Sequence, residues 1–226
     1  MPPSTPIAAL FDVEGTLIDC VALQLESWRV TLNEAGYSFT HLDLQPFSGM
    51  DGLWMLDHLL PQEAQDSKER LLKVQGESYR RDFLPRAQPF PQIRLLFETL
   101  KQHHVLIGIA TTCQKDELAQ YDERMDILAL TDVVACGERV KHGKPDPSLF
   151  LACLTRLQIT DASLTVAIGD TPYDAKAAGK LGMRSAGVLT GGFCAKALQE
   201  GGCDAVFEQV KDVVTLWREH RVRLIR

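Results

Sequence analysis

From Pro89 onward the chain alternates between short β-branched runs and longer amphipathic stretches. This alternation is typical of repeated βα units on a parallel sheet. One earlier apolar run, residues 7–11, ends at Asp12 and predicts a first strand. The sequence therefore predicts an α/β fold with a doubly wound parallel sheet. Strands are expected at 7–11, 105–110, 133–136, 164–168, 185–189 and 205–207, and helices at 93–103, 115–130, 147–157, 173–181, 193–200 and 208–220.

The segment between the first strand and Pro89 does not follow this alternation. Residues 20–35, 52–60 and 63–83 carry apolar side chains at three- and four-residue intervals, with no convincing strand between them. Pro85, Pro89 and Pro91 stiffen the place where the chain would return to the sheet. We therefore predict an all-helical cap domain at 18–88, inserted into a core domain formed by 1–17 and 89–226.

Composition and charge exclude several classes of protein. Hydrophobic residues make up 45% of the 226 residues, which is enough to bury a core. The 24 basic residues against 30 acidic ones include no basic run that would neutralise a nucleic-acid backbone, so nucleic acid is not an expected partner. No window approaches the roughly 20 apolar residues of a membrane span, and residues 1–6 lack the order of a signal peptide. The six cysteines show no metal-binding spacing and read as reduced thiols, so a cytoplasmic globular protein is expected.

Polar residues cluster where the predicted strands end. Ligands of open α/β sheets bind beyond the carboxyl ends of the strands, so these residues are expected to share one cleft. Several carboxylates in one cleft cannot all stay ionised without positive charge. Lys144 supplies one charge, and Mg²⁺, which takes oxygen ligands and keeps room for water and phosphate, supplies the rest. The residues concerned are Asp12, Glu14, Gly15, Thr16, Thr111, Thr112, Lys144, Asp170 and Asp174.

A carboxylate at a strand end followed by a glycine turn suits nucleophilic attack on phosphorus. Asp12 is the predicted nucleophile, Thr111 and Lys144 are expected to stabilise the transferring phosphoryl group, and the backbone N–H groups near Gly15 are expected to face it. Glu14 points to the same side as Asp12 in an extended chain and is the candidate acid and base. Attack by Asp12 on phosphorus implies an aspartyl-phosphate intermediate. Taken one at a time, these residues also fit turns, helix caps and surface positions.

In order and spacing, these residues resemble the motifs of the haloacid dehalogenase-like hydrolase superfamily. Asp12-x-Glu14-Gly15-Thr16 resembles the first motif, Thr111 the second, Lys144 the third and Gly169-Asp170-x-x-x-Asp174 the fourth. The resemblance implies a Rossmann-like core with a helical cap, as in the phosphoglycolate phosphatase and β-phosphoglucomutase-like branch. It also implies a phosphorylated Asp12 and a Mg²⁺ ion held by Asp12, the backbone carbonyl of Glu14 and Asp170, with Asp174 as a further or water-mediated ligand.

One position departs from the family pattern. Phosphatases of this family usually have Asp where this chain has Glu14, and that side chain is their acid and base. Glutamate reaches one methylene farther, and a misplacement of about 1 Å can lower a rate roughly 100-fold. Enolase-phosphatase also carries Asp-x-Glu-Gly-Thr, so glutamate is compatible with turnover there. Gln24 stands where similar sugar-phosphate mutases tend to have His, which disfavours a mutase.

The expected activity is therefore Mg²⁺-dependent hydrolysis of a small phosphorylated metabolite, by a monomer or weak homodimer. The alternatives are a phosphosugar mutase, an enolase-phosphatase-like enzyme and a catalytically silent phosphate-binding protein. Substrate contacts are expected from Gly15, Thr16 and Thr112 and from a cap loop at 46–52 that contains Gly49, Met50 and Asp51. Arg80, Arg81 and Arg86 read either as contacts to a second anionic group or as exposed arginines of the cap.

Overall fold

A parallel six-stranded sheet forms the centre of the protein, seen in a computed structural model that describes residues 7–137 and 143–214. The strands of this sheet are β1 Ala8–Phe11, β4 Leu106–Ala110, β5 Val133–Ala135, β6 Thr165–Gly169, β7 Arg184–Val188 and β8 Ala205–Phe207. The strand order is β5-β4-β1-β6-β7-β8, so β1 lies between β4 and β6 and pairs with both in parallel. The predicted α/β class is confirmed.

Helices cover both faces of the sheet. The core helices are α5 Ile93–Gln102, α6 Lys115–Met125, α7 Ser148–Arg156, α8 Pro172–Gly179 and α9 Ala195–Gly201. Phe11 packs in one apolar cluster with residues of α5 and α6, and its neighbour Leu10 packs in another with residues of α7 and α8. Alternate residues of β1 thus face opposite sides, which explains why the whole strand is apolar and buried.

Two of the predicted core helices are wrong in extent. The helix predicted at 115–130 ends at Met125, because Asp126 takes a left-handed conformation with φ 50° and a separate 3₁₀ turn follows at Leu128–Leu130. The helix predicted at 208–220 is a 3₁₀ turn at Val210–Val214 in its described part, and 215–220 lie outside the described residues. The other predicted strands and helices of the core differ from the observed ones by one or two residues at their ends.

The helices between β1 and the rest of the sheet pack around an apolar cluster of their own, which includes Leu25, Leu32 and Leu56. They are α1 Val21–Glu34, α2 His41–Leu44, α3 Gly52–Leu59 and α4 Gln65–Ser78, the last continued by a π-helical turn at Tyr79–Phe83. Helix α2 was not expected from the sequence; Thr40 and Asp43 form a capping box that starts it. The boundaries of a cap domain at 18–88 remain a prediction, supported by this separate cluster.

The prediction that this segment contains no strand is wrong at both its ends. Strands β2 Ile18–Asp19 and β3 Gln88–Pro89 pair antiparallel where the chain leaves and re-enters the core. Two-residue strands leave no periodic signal in a sequence, and Pro89 is compatible with such an edge. Among the described residues, no helix combines the length and the apolar character that a bilayer crossing requires.

The strand register aligns the carboxyl ends of the three central strands. Phe11 of β1 lies level with Ile109 of β4 and with Ile168 of β6. Asp12, which follows β1, therefore lies level with Ala110 and Gly169, the last residues of the two neighbouring strands. Thr111 and Asp170 follow one position further along, on either side of Asp12.

Candidate active site

Three buried carboxylates meet at the carboxyl end of the sheet. Oxygen atoms of Asp12, Asp170 and Asp174 all lie within 4.8 Å of one another. Asp12 follows β1 and Asp170 follows β6, whereas Asp174 lies in the first turn of α8, where it forms a capping box with Thr171. The sequence placed these three residues in one cleft, and the structure brings them together.

Lys144 is the ammonium group that faces this cluster. Its side chain is only 2% exposed, and Nζ donates to Asp12 Oδ1 at 2.5 Å. The same Nζ lies 2.7 Å from Asp174 Oδ1 as an ion contact, without the direction of a hydrogen bond. Burial disfavours the charged ammonium, but Asp12 and Asp174 outweigh this effect and raise the pKa of Lys144 above its ordinary value.

The carboxylates carry more negative charge than Lys144 balances. Burial raises the pKa of Asp12 to about 6, with Lys144 opposing the shift and Asp174 adding to it. Burial, together with Asp12 and Asp174, also raises the pKa of Asp170 well above its ordinary value. Buried carboxylates that lack enough positive charge resist ionisation, and a divalent cation would relieve this.

Two glycines pack closely against Asp170. Thr16 Oγ1 donates to Asp170 Oδ1 at 2.9 Å. A Cβ atom on Gly15 would lie 2.2 Å from the other oxygen, Oδ2, and one on Gly191 would lie 2.0 Å from it, so no side chain fits at either position. Three buried carboxylates in one cluster are a donor set that fits a Mg²⁺ ion, which prefers oxygen ligands.

This packing makes Gly191→Ala a test of the space beside Asp170. The new methyl group would displace the Asp170 carboxylate, because its closest neighbours include the backbone oxygen of Asp170 at 2.7 Å as well as Oδ2. We expect phosphatase activity at saturating Mg²⁺ to fall about 100-fold and the Mg²⁺ concentration for half-maximal activity to rise. The control is Gly179→Ala, whose Cβ has no neighbour within 4 Å. Equal activities of the two variants would contradict the prediction.

Two of the predicted phosphate contacts are arranged differently from expectation. The Gly15 N–H donates to the Ile18 carbonyl at 2.8 Å, closing the turn in which Gly15 has φ 80°, so this N–H is not available to an anion. The Thr16 side chain is fully buried, and its hydroxyl donates to Asp170. Thr111 accepts a 3.2 Å hydrogen bond from the Cys113 N–H, which leaves its own hydroxyl hydrogen free to donate.

Glu14 lies at the edge of a cavity of about 420 Å³ that separates the sheet from α1 and α4. Burial, then the negative charges of Glu117 and Asp12, raise the pKa of Glu14 to about 8. Its Oε1 accepts hydrogen bonds from Gln24 Nε2 at 2.7 Å and from the Tyr121 hydroxyl at 3.0 Å. Sequence reasoning singled out Glu14 but missed Tyr121, because a buried tyrosine on an amphipathic helix gives no sign of which polar atom it reaches.

The cap loop that was predicted to contact substrate lies close to the site. Its residues line cavities, and Asp51 also makes hydrogen bonds within the protein. Met50 and Asp51 line the cavity together with Thr112, and Gly49 lines a smaller neighbouring cavity of about 100 Å³. Asp51 Oδ1 accepts from the N–H groups of Leu53 and Trp54 at the start of α3. Its Oδ2 accepts from the Gly143 N–H at 3.2 Å, so Asp51 joins this loop to the segment that carries Lys144.

Only one of the three cap arginines singled out from the sequence faces the cavity. Arg80 lines it and forms an ion pair with Glu117 at 3.2 Å. Arg81 is paired with Asp82 on the surface, and Arg86 lies over the Phe83 ring. Of the two readings left open by the sequence, Arg81 and Arg86 fit that of exposed cap arginines, and Arg80 is the one placed to meet an anion in the cavity.

A buried aspartate–lysine pair beside further carboxylates thus lies at the carboxyl end of a parallel sheet, which is where α/β proteins bind their ligands. The family model described as haloacid dehalogenase-like hydrolase matches residues 9–188. The chain belongs to this family.

Curated relatives resemble the chain over most of its length. It is 30% identical over 203 residues to the phosphorylated carbohydrates phosphatase of Thermotoga maritima, covering 88% of this chain and 93% of that protein. It is 24% identical over 181 residues to the fructose-1-phosphate phosphatase YqaB of Escherichia coli, covering 77% and 92%. The enzyme class of this chain is therefore that of a phosphatase.

Solved structures show the same fold. A hydrolase from Pseudomonas syringae superposes with a TM-score of 0.86 at 24% identity, covering 96% of this chain and 99% of that one. A putative β-phosphoglucomutase from Bacteroides vulgatus superposes with a TM-score of 0.83 at 19% identity, covering 98% and 91%. At these identities the likeness shows the fold of this chain.

Proposed function

We propose that this protein is a Mg²⁺-dependent phosphatase of small phosphate monoesters, phosphorylated carbohydrates in particular, that works through an aspartyl-phosphate on Asp12. The observation that carries the proposal is the position of Asp12, which Lys144 holds within the carboxylate cluster. Asp170 of this cluster lines the smaller cavity together with Glu14, and Glu14 also lines the larger one. The names of the curated relatives support the substrate class, since they include phosphatases of phosphorylated carbohydrates and of fructose 1-phosphate.

In the first step the Asp12 carboxylate attacks phosphorus and the bond from phosphorus to the leaving oxygen breaks. Glu14 gives its proton to that oxygen, so the alcohol departs uncharged. Lys144 holds the Asp12 carboxylate in place, and the free hydroxyl hydrogen of Thr111 is available to a phosphoryl oxygen. In the second step Glu14 takes a proton from water as the water attacks phosphorus, which releases inorganic phosphate and restores Asp12.

The metal ligands would be Asp12, Asp170 and the backbone carbonyl of Glu14, with Asp174 close by. When bound, Mg²⁺ supplies positive charge beside the phosphoryl oxygens and allows the surrounding carboxylates to stay ionised. The three buried carboxylates, with oxygen atoms within 4.8 Å of one another, support this assignment.

The cavity lining supports a polar leaving group. Amide side chains and two cations face it from the cap and from the start of α6. These residues are Gln24, Gln75 and Gln114, with Lys73 and Arg80. Hydroxyl groups of a carbohydrate can pair with the donors and acceptors that these amides still offer beyond the bonds of Gln24 to Glu14 and of Gln75 to Ser27.

Three alternatives remain to be separated: a phosphosugar mutase, an enolase-phosphatase-like enzyme and a catalytically silent phosphate-binding protein. A mutase reading is disfavoured because Gln24, in the position where similar mutases tend to have His, donates its amide to Glu14. A silent phosphate-binding protein would keep the same pocket but fail to turn over because of Glu14.

The test is release of inorganic phosphate from a panel of monoesters, including fructose 1-phosphate and p-nitrophenyl phosphate, with Mg²⁺ and with EDTA. We expect turnover that EDTA abolishes and that added Mg²⁺ restores. Glu14→Asp is assayed in parallel. No turnover by the parent with gain by Glu14→Asp would favour the silent reading, and turnover that is unaffected by EDTA would contradict the metal assignment.

A further inference from the structure

The carboxyl group of Glu14 is held from two sides through a single oxygen. Gln24 of α1 and Tyr121 of α6 both donate to Oε1, at 2.7 and 3.0 Å. No hydrogen bond among the described residues ends on Oε2. Because the two donors come from different parts of the fold, they fix the direction of the carboxyl group as well as its position.

The Tyr121 hydroxyl is itself held in a fixed direction. It lies 2.6 Å from the Tyr79 hydroxyl, and both side chains are buried, at 0% and 2% exposure. A hydroxyl has one hydrogen, so when Tyr121 donates to Glu14 it must accept from Tyr79. The chain Tyr79 to Tyr121 to Glu14 therefore has one direction, and it ends on Oε1.

We propose that Tyr121 is a positioning residue for Glu14, which draws Oε1 toward α6 and leaves Oε2 to face the leaving oxygen and the attacking water. The inference rests on the proposed role of Glu14 as acid and base. Glutamate has one more rotatable bond than the aspartate usual in this family, so an unheld carboxyl group would sample several directions. A hydrogen-bond donor supplied by the core limits that freedom, in the way that supporting residues hold a reactive group in productive geometry.

A purely structural role for Tyr121 makes a different prediction. Loss of the hydroxyl would then loosen the packing around the site and slow all phosphate esters alike. A positioning role slows esters in proportion to their need for a proton on the leaving oxygen. Phenoxide is a much stronger base than p-nitrophenoxide, so phenyl phosphate needs the acid more than p-nitrophenyl phosphate does, although the two esters have nearly the same shape.

The experiment compares Tyr121→Phe with the parent on these two esters. The parameter is kcat/KM, which includes the departure of the alcohol but not the later attack of water. We expect Tyr121→Phe to lose about tenfold on phenyl phosphate and about twofold or less on p-nitrophenyl phosphate, since acid catalysis as a whole is worth roughly 10²- to 10⁴-fold. Any other pair of hydrolysed monoesters whose leaving groups differ in basicity serves in the same way.

Tyr79→Phe is the matched control. It removes the same bond between the tyrosines but leaves Tyr121 able to donate to Glu14. We expect it to keep the parent's ratio of kcat/KM between the two esters, whatever its effect on each one. In a Glu14→Asp background, the shorter carboxyl group no longer reaches Tyr121, so Tyr121→Phe should leave the ratio unchanged there.

Equal losses on both esters, or the same change of ratio in Tyr79→Phe, would overturn the positioning role while leaving the proposed function in place. Failure of the proposed function is seen separately, as a parent that releases phosphate from no monoester or as turnover that survives Asp12→Asn. The melting temperature of each variant shows whether it is folded, and the ratio is independent of the active fraction.

Discussion

Asp12→Asn should reduce phosphate release by about 10⁴-fold or more, because the amide oxygen is too weak a nucleophile to attack phosphorus. Asparagine has nearly the shape of aspartate, and its side-chain oxygen can still accept the hydrogen bond that Lys144 Nζ donates to Oδ1 at 2.5 Å. The variant should therefore fold, and its melting temperature is the check. Phosphate release is measured on the ester that the parent hydrolyses fastest.

A second measurement identifies the intermediate directly. Hydroxylamine added during turnover attacks the acyl carbon of an aspartyl-phosphate, releases phosphate and leaves a hydroxamate on the side chain. Mass spectrometry of the digested parent should place this hydroxamate on Asp12, and the Asp12→Asn protein should show none. Turnover within tenfold of the parent, or a hydroxamate on another residue, would show that Asp12 is not the nucleophile.

The parts of the site that the sequence predicted are those fixed by strand order. Asp12 and Asp170 follow apolar strands that pair in register, so their meeting is a consequence of a parallel sheet. Lys144 reaches them from a loop whose path no periodicity predicts. It was expected there because the carboxylates need positive charge and because its position resembles a family motif. The sequence thus predicted that the acidic residues and Lys144 share one cleft, without the hydrogen bonds between them.

The details that the sequence did not predict depend on individual hydrogen bonds. The Gly15 N–H was expected to face an anion, but the tight turn uses it for the Ile18 carbonyl. Asp51 was expected to contact a substrate, and it lines the cavity. Its cap of α3 was not predicted, although an aspartate just before a helix commonly satisfies the free N–H groups there. The β2–β3 ribbon escaped notice because two paired residues are too few to form a pattern.

Tyr121 is a residue whose burial the sequence pattern predicts but whose hydrogen-bond partner it does not. Its position in α6 fits the apolar face of an amphipathic helix, and its ring is indeed buried in the core. Only the three-dimensional structure shows that its hydroxyl reaches Glu14, a residue 107 positions away. Such long-range polar contacts are invisible to spacing arguments, and they matter most where a family position has changed, as it has at Glu14.

Lys144→Met should abolish turnover and also lower the free energy of unfolding by about 3–5 kcal/mol, the usual effect of leaving buried charges without their partner. The Lys144 ammonium lies 5.4 Å from the centre of the Phe150 ring, and a methionine side chain of similar length would fill the same space. The loss of stability would therefore come from the missing charge and not from a cavity. The measurement is urea unfolding in EDTA, so that no metal ion replaces the missing cation.

Lys68→Met is the matched control for this second prediction. Lys68 is also buried, and its ammonium donates to Asp57 at 2.8 Å, but the Asp57 side chain is 48% exposed. Water can solvate that carboxylate after the lysine is lost, so the expected loss of stability is about 1 kcal/mol or less from the charge pair. Around Lys144 the partners are buried, at 10% exposure for the Asp12 side chain and 5% for that of Asp174, and have no such relief.

Added Mg²⁺ then distinguishes the source of the instability. Removal of the ammonium leaves the carboxylate cluster with no positive charge of its own, so a divalent cation should stabilise Lys144→Met by a larger shift in melting temperature than it gives the parent. Lys68→Met should shift as the parent does, because its altered pair is remote from the carboxylates. If Mg²⁺ raised all three melting temperatures equally, its binding would be independent of the Lys144 ammonium, and the charge argument for this site would fail.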